Sequence, residues 1–353
     1  MLESLMHAWE RHLVSITKDR VVRPFEWGDA WMPADGHPPP ANASSDPLSR
    51  ITAYVDDVMT DTDAFYTPGP TSDYTRHAAA EDGSCMVTFP SALETPHPSN
   101  NTVYARLFTP RRNAHDRRAA VLVLPQWNAD AGGHVGLCRL LTMGGMTALR
   151  LSLPYHDLRM PPELHRADYI VSANVMRTLQ VCRQAVLDAR RAIAWLHREG
   201  YERIGILGSS LGSCLSLLTT AHEPLIRAQA LNHISPYFAD VVWRGLSTAH
   251  VREGLDGHID LDLLRQLWRP ISPAWYLDRI RDRKTLLVYA KYDLTFPVDL
   301  SRKLVRQFTE QGVPFELKAL SCGHYSIGKT PFKFLDGWIL MSFLRRTLLG
   351  SAA

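Results

Sequence analysis

The chain has 353 residues, 45% hydrophobic and 21% charged, a globular composition with enough apolar material for a large core. Its 39 basic and 36 acidic residues leave a formal charge of +3, too even a balance for the basic field that nucleic-acid binding needs. The five cysteines, Cys85, Cys138, Cys182, Cys214 and Cys322, are scattered without Cys-x-x-Cys or Cys/His ligand spacing, so free thiols in a reducing compartment are expected.

The first dozen residues lack a basic segment followed by an apolar one, so no secretory signal is expected and the cytoplasm is the expected location. Leu2, Leu5, Met6, Trp9, Leu13 and Ile16 recur at helical spacing and predict a first helix with one apolar stripe. Two Pro/Ser/Gly-rich runs follow, Gly36 to Pro47 and Thr67 to Asp73. Residues 1–84 therefore read as an extension wrapped on a larger unit, with too little apolar area for a domain of their own.

From residue 85 the pattern becomes regular, and 85–353 read as one domain. Strands are predicted at Val103 to Pro110, Ala119 to Pro125, Met146 to Pro154, Arg203 to Gly208, Ala228 to Ser235, Thr285 to Ala290 and Phe315 to Ser321. Helices fall between several of them, including Val135 to Met143 and a long one from about Ala167 to Glu199. Strands alternating with helices require right-handed crossovers and a mostly parallel sheet covered on both faces. The alternation lapses over about residues 236–283, which predicts a small helical cap. The final apolar run, Phe334 to Leu349, is broken by Asp336, Arg345 and Arg346 and is not a membrane span.

The chemistry concentrates in three short segments. Gly208-Ser209-Ser210-Leu211-Gly212 lies between a strand and a helix, the context of a nucleophile elbow. Small residues two before and two after the central position let the backbones approach, so Ser210 is the residue presented. The helix beginning at Leu211 supplies N–H groups and a partial positive charge for an oxyanion. A serine hydroxyl needs a base, and the base needs a carboxylate to orient it. Asp293 and His324 each follow a predicted strand, on the edge where such sheets keep their sites, and in the chain order Ser, Asp, His. Each alone could be a surface residue; the ordered set is the signal.

With these segments inside a βα alternation, residues 85 to 350 resemble the α/β-hydrolase superfamily. The resemblance implies a mostly parallel eight-stranded sheet, a Ser210, Asp293, His324 triad, and no cofactor. It also implies a second oxyanion N–H after the third strand, where "LPQWNADAGGH" replaces the usual Gly-rich turn and leaves Trp127 or Gln126 as the donor beside Leu211. Tyr155 and His156 follow a strand at the same edge, and Trp243 and Trp268 belong to the cap; all four are pocket candidates. His7, His12, His250 and His258 lack His-Glu-x-x-His spacing, so no metal is expected. The expected activity is hydrolysis of a small-molecule ester or thioester through an acyl-enzyme. An acyltransferase using the same triad and a catalytically silent binding module are the alternatives, and nothing in the sequence bears on oligomeric state.

Overall fold

The computed structural model describes residues 2–17, 20–33, 46–110 and 119–350. Most of the Pro-rich run from Gly36 lies outside them. Helix α1 (Leu2–Ser15) buries Met6, Glu10, Leu13 and Val14, while Leu2, Leu5 and Ile16 of the expected stripe are exposed. Helix α2 (Pro47–Thr60) is capped by Asp46, whose carboxylate accepts the Ser49 N–H at 3.0 Å, and is followed by α3 (Thr62–Tyr66). Ile51, Tyr54, Val55, Val58, Phe65 and Tyr66 from these helices are buried in the main core.

The sheet begins with the hairpin β1 (Thr75–Ala79) and β2 (Cys85–Pro90), then β3 (Thr102–Phe108) and β4 (Ala119–Leu124). Then come α4 (Val135–Met143), β5 (Thr147–Leu151), α5 (Val175–Arg198), β6 (Arg203–Ser209), α6 (Leu211–His222) and β7 (Ile226–Asn232). Short helices α7 (Phe238–Arg244), α8 (Ala249–Leu255) and α9 (Leu261–Leu267), with 3-10 turns after them, lead to β8 (Lys284–Ala290). Finally α10 (Val298–Glu310), β9 (Phe315–Leu320) and α11 (Phe332–Leu349) close the fold.

The strand order is β1-β2-β3-β5-β4-β6-β7-β8-β9. Nine strands, and not the expected eight, make a mixed sheet: β1/β2, β2/β3 and β3/β5 are antiparallel and every later pair is parallel. The extra edge strand β1 comes from the segment read as extension. All five of its residues are exposed, so it carries no alternation to reveal it. Helix α5 also starts at Val175, later than expected, because the Asn174 side chain accepts the Arg177 N–H at 2.9 Å and caps it there.

Strand periodicity divides the interior into two cores. Ala120, Leu122 and Leu124 of β4 face the layer containing α5 and α6, whereas Ala119, Val121 and Val123 face the layer containing α4 and α11. A strand buried on both faces must be apolar at every position, which is why β4 reads as an unbroken run. The loops carrying Gln126, Ser210, Asp293 and His324 follow the carboxyl ends of β4, β6, β8 and β9.

Candidate active site

Between β6 and α6 the backbone turns through Ser210 at φ 56°, ψ −119°, a conformation costly for a residue with a Cβ. The flanking glycines allow it. A Cβ on Gly208 would lie 2.1 Å from the Gly212 carbonyl oxygen, and one on Gly212 would lie 2.1 Å from that of Leu124. The second contact seats the elbow against the end of β4, where Gln126 and Trp127 begin the next loop. The N–H groups of Leu211 and Trp127 find no acceptor among the described residues. Ser210, Leu211, Gln126, Trp127 and His324 all line one cavity of about 1060 Å³.

Asp293 follows β8 and is held in place before any base reaches it. Its Oδ1 accepts the N–H groups of Thr295 and Phe296 at 2.8 and 2.7 Å, and its Oδ2 faces two imidazoles. His324 Nδ1 lies 3.0 Å from Oδ2, and His233 Nδ1 lies 2.9 Å from the same oxygen. Burial opposes charge on this carboxyl, but the paired imidazoles outweigh it and hold Asp293 well below the usual carboxylate range. The ligating atoms of His233, Asp293 and His324 fall within 4.8 Å of one another, and here the two Nδ1–H groups satisfy the oxygen directly.

His324 is raised above its ordinary value: burial favours the neutral ring, but Asp293 beside it and Glu10 nearby favour the charged one. With Nδ1 engaged, Nε2 is the nitrogen left free. Ser210 Oγ makes no hydrogen bond among the described residues, so Ser210 and His324 share the cavity without a hydrogen bond between them. Such contacts often tighten only with substrate present.

The histidine loop is braced from the amino terminus. Glu10 of α1, 1% exposed, accepts the Tyr325 N–H at 2.8 Å and the Ser326 N–H at 2.9 Å. A Cβ on Gly323 would lie 2.2 Å from the Glu10 Cδ, so the glycine gives the carboxylate its room. On the α4 side, His134 Nε2 meets Ser209 Oγ at 2.9 Å, and burial pushes this imidazole down to about 4.

Four expected pocket residues do not line the cavity. Trp268 is fully buried and donates from Nε1 to the Val175 carbonyl at 3.0 Å, a core position. Trp243 is half-buried under the Arg252 guanidinium. Tyr155 is buried with its hydroxyl 3.0 Å from His97 Nδ1. His156 accepts the Asn128 N–H at 3.0 Å through Nε2 and faces the Pro154 carbonyl through Nδ1, so it anchors the Gln126–Asn128 loop from behind. The cap instead contributes Tyr237, Phe238, Val241 and Val242 to the cavity. His233, Glu10 and His134 carried no sequence signal, because their partners lie 60, 315 and 75 positions away.

The overall fold recurs in solved structures. The chain has the α/β-hydrolase fold. An acetyl xylan esterase from Paenibacillus sp. R4 superposes with a TM-score of 0.62 at 14% identity, over 84% of this chain and 94% of that one. Acetyl xylan esterase 1 from Thermoanaerobacterium sp. JW/SL YS485 does so at 0.58 and 13%, over 86% and 95%. An acylaminoacyl peptidase from Pyrococcus horikoshii gives 0.58 at 15%, over 80% of this chain, which spans only 42% of the peptidase. No family model and no curated protein matches the sequence. At these identities the likeness carries the hydrolase fold, and the chemistry must rest on the site. No described helix of this hydrolase fold is long and apolar enough to cross a membrane.

Proposed function

We propose that this protein is a serine hydrolase that cleaves a small carboxylic ester or thioester through an acyl-enzyme. The observation that carries the reading is the His324–Asp293 pair opening on the same cavity as a serine held at positive φ in a strand-to-helix elbow. In the proposed cycle Ser210 Oγ attacks the acyl carbon as His324 Nε2 takes its proton. Asp293 fixes the ring and offsets the charge of the imidazolium. The N–H groups of Leu211 and Trp127, or of the adjacent Gln126, bind the oxyanion. His324 then protonates the leaving group, and water activated by the same nitrogen releases the acid.

The substrate class follows from the walls. Tyr237, Phe238, Val241 and Val242 on the cap side and Leu137, Leu140 and Met143 on the α4 side favour an uncharged ester with an apolar part. Residues 1–84 belong to the same folding unit in this proposal, since they supply an edge strand, part of the main core and Glu10.

The test is labelling with a fluorophosphonate. One label on the peptide spanning Gly208 to Gly212, lost in Ser210→Ala and retained in Ser209→Ala, supports the assignment. Ser210→Ala should lower ester turnover by roughly three to six orders of magnitude with the fold intact. A folded wild-type protein with neither label nor turnover overturns it and favours a binding module.

A further inference from the structure

The wall of the cavity nearest α11 contains a polar pair that the triad does not use. Asn232 ends β7, and its alternation with Ala228 and Ala230 directs its side chain to the face covered by α11. Its carbonyl oxygen accepts the Ser210 N–H at 2.7 Å and the Ser213 hydroxyl at 2.7 Å, so this residue is fastened to the elbow itself. Its Nδ2 donates to Asp336 Oδ2 at 2.9 Å.

Asp336 interrupts the inward face of α11, whose other members are Gly337, Leu340, Met341, Phe343, Leu344 and Leu348. Among the described residues no cation pairs with it. Its Oδ1 and the Oδ1 of Asn232 are both shielded and lack any partner, although both residues line the cavity. An apolar pair of similar volume would pack here without leaving acceptors unmatched. Local violations of this kind concentrate at functional positions.

We propose that Asn232 and Asp336 form a subsite that binds a hydroxyl group of the substrate beside the scissile ester. The inference rests on the hydrolase reading and adds to it a polar requirement within an otherwise apolar pocket. Two oxygens without donors call for an O–H or N–H. A cationic amine is disfavoured by Lys333, which lies on the same helix three positions before Asp336 and lines the same cavity, and an anion is disfavoured by Asp336. A neutral alcohol satisfies both oxygens and returns a lone pair. Burial pushes Asp336 up to about 7, so near neutrality its carboxyl can also donate to that lone pair.

The test compares esters differing only in hydroxyl for methyl: ethylene glycol monobutyrate against propyl butyrate, and methyl glycolate against methyl propanoate. Wild-type kcat/KM should favour the hydroxyl member of at least one pair by about tenfold or more. Asp336→Leu and Asn232→Leu should bring that ratio close to unity, with the larger loss on the hydroxyl member whatever the change on the methyl one. Asp336→Asn keeps the shape, guards against a folding failure, and should retain part of the preference. Ratios near unity in wild type, or unchanged in the variants, overturn the subsite. Fluorophosphonate labelling of the same samples separates the two failures. Labelled protein without the ratio loses the subsite alone; unlabelled wild type loses the hydrolase reading and the subsite with it.

Discussion

Glu10 lies in the first helix and Ser326 in the loop of the proposed catalytic base, and the carboxylate of one accepts the backbone N–H of the other at 2.9 Å. The other Glu10 oxygen takes the N–H of Tyr325. His324 is therefore flanked on its carboxyl side by two amides tied to the amino terminus. Glu10→Ala should cost about 3 kcal/mol, the loss of two charge-assisted bonds, and reduce kcat more than it raises KM. Urea melts and steady-state kinetics read the two effects; a variant of wild-type stability and kcat would show the brace to be idle.

The acid limb of kcat/KM should lie above pH 6.5, the ordinary imidazole value. His324 must be neutral to accept the serine proton, and its pKa is raised, so activity is gained only as pH climbs through that higher value. Glu10→Gln removes one of the charges that raise it, and the limb should move to lower pH. A pH profile of wild type and variant on an ester whose leaving group does not titrate decides the matter; a shift in the opposite direction contradicts the assignment.

Gly212→Ala and Gly208→Ala should each destabilise by about 4 kcal/mol or more, since the new Cβ meets rigid backbone at 2.1 Å and neither partner can yield. The expected readout is a large fall in melting temperature together with loss of fluorophosphonate labelling. Either variant labelling at the wild-type rate would mean that the elbow has another geometry.

Cap substitutions should divide by burial. Phe238→Ala opens the cavity wall and should alter the relative rates on short and long acyl chains. Trp268→Ala should instead cost about 3–5 kcal/mol and shift those relative rates less than Phe238→Ala does, because its ring packs edge-on against Phe238 without lining the cavity and its Nε1 is committed to Val175. Equal selectivity profiles for Phe238→Ala and wild type would count against the cap as a selectivity element.

His233→Phe should leave Asp293 with one imidazole. Losing a buried hydrogen bond to a charged group should cost about 1.5–3 kcal/mol and lower kcat by roughly tenfold, far less than loss of the nucleophile. A loss as deep as that of Ser210→Ala would make His233, and not His324, the better candidate for the base.

The residues that could be read from sequence are those whose signal is local. Gly208-Ser209-Ser210-Leu211-Gly212 announces itself within five positions, because strand, turn and helix are contiguous there. Asp293 and His324 are legible only by order and by the strands that precede them. Strand β4 is legible because burial on both faces forces an apolar run, while β1 is not, since backbone pairing at an exposed edge makes no demand on side chains. Trp243 and Trp268 were expected in the pocket because they are large and apolar; which side of a short helix faces the cavity depends on packing that composition does not encode. Glu10, His233 and the Asn232–Asp336 pair act across gaps of 60 or more positions, where no spacing rule applies.

The bond between Glu10 and Ser326 also has a bearing on synthesis. It joins residues 316 positions apart, so a growing chain exposes its first helix long before the loop that helix must hold has been made. At ribosomal speeds the interval is on the order of tens of seconds. During that time Ser210 can already be folded into its elbow, yet His324 is missing and Glu10 has nothing to grip. Under this arrangement the proposed triad is complete only once the first helix and the loop that holds His324 have both been made and joined.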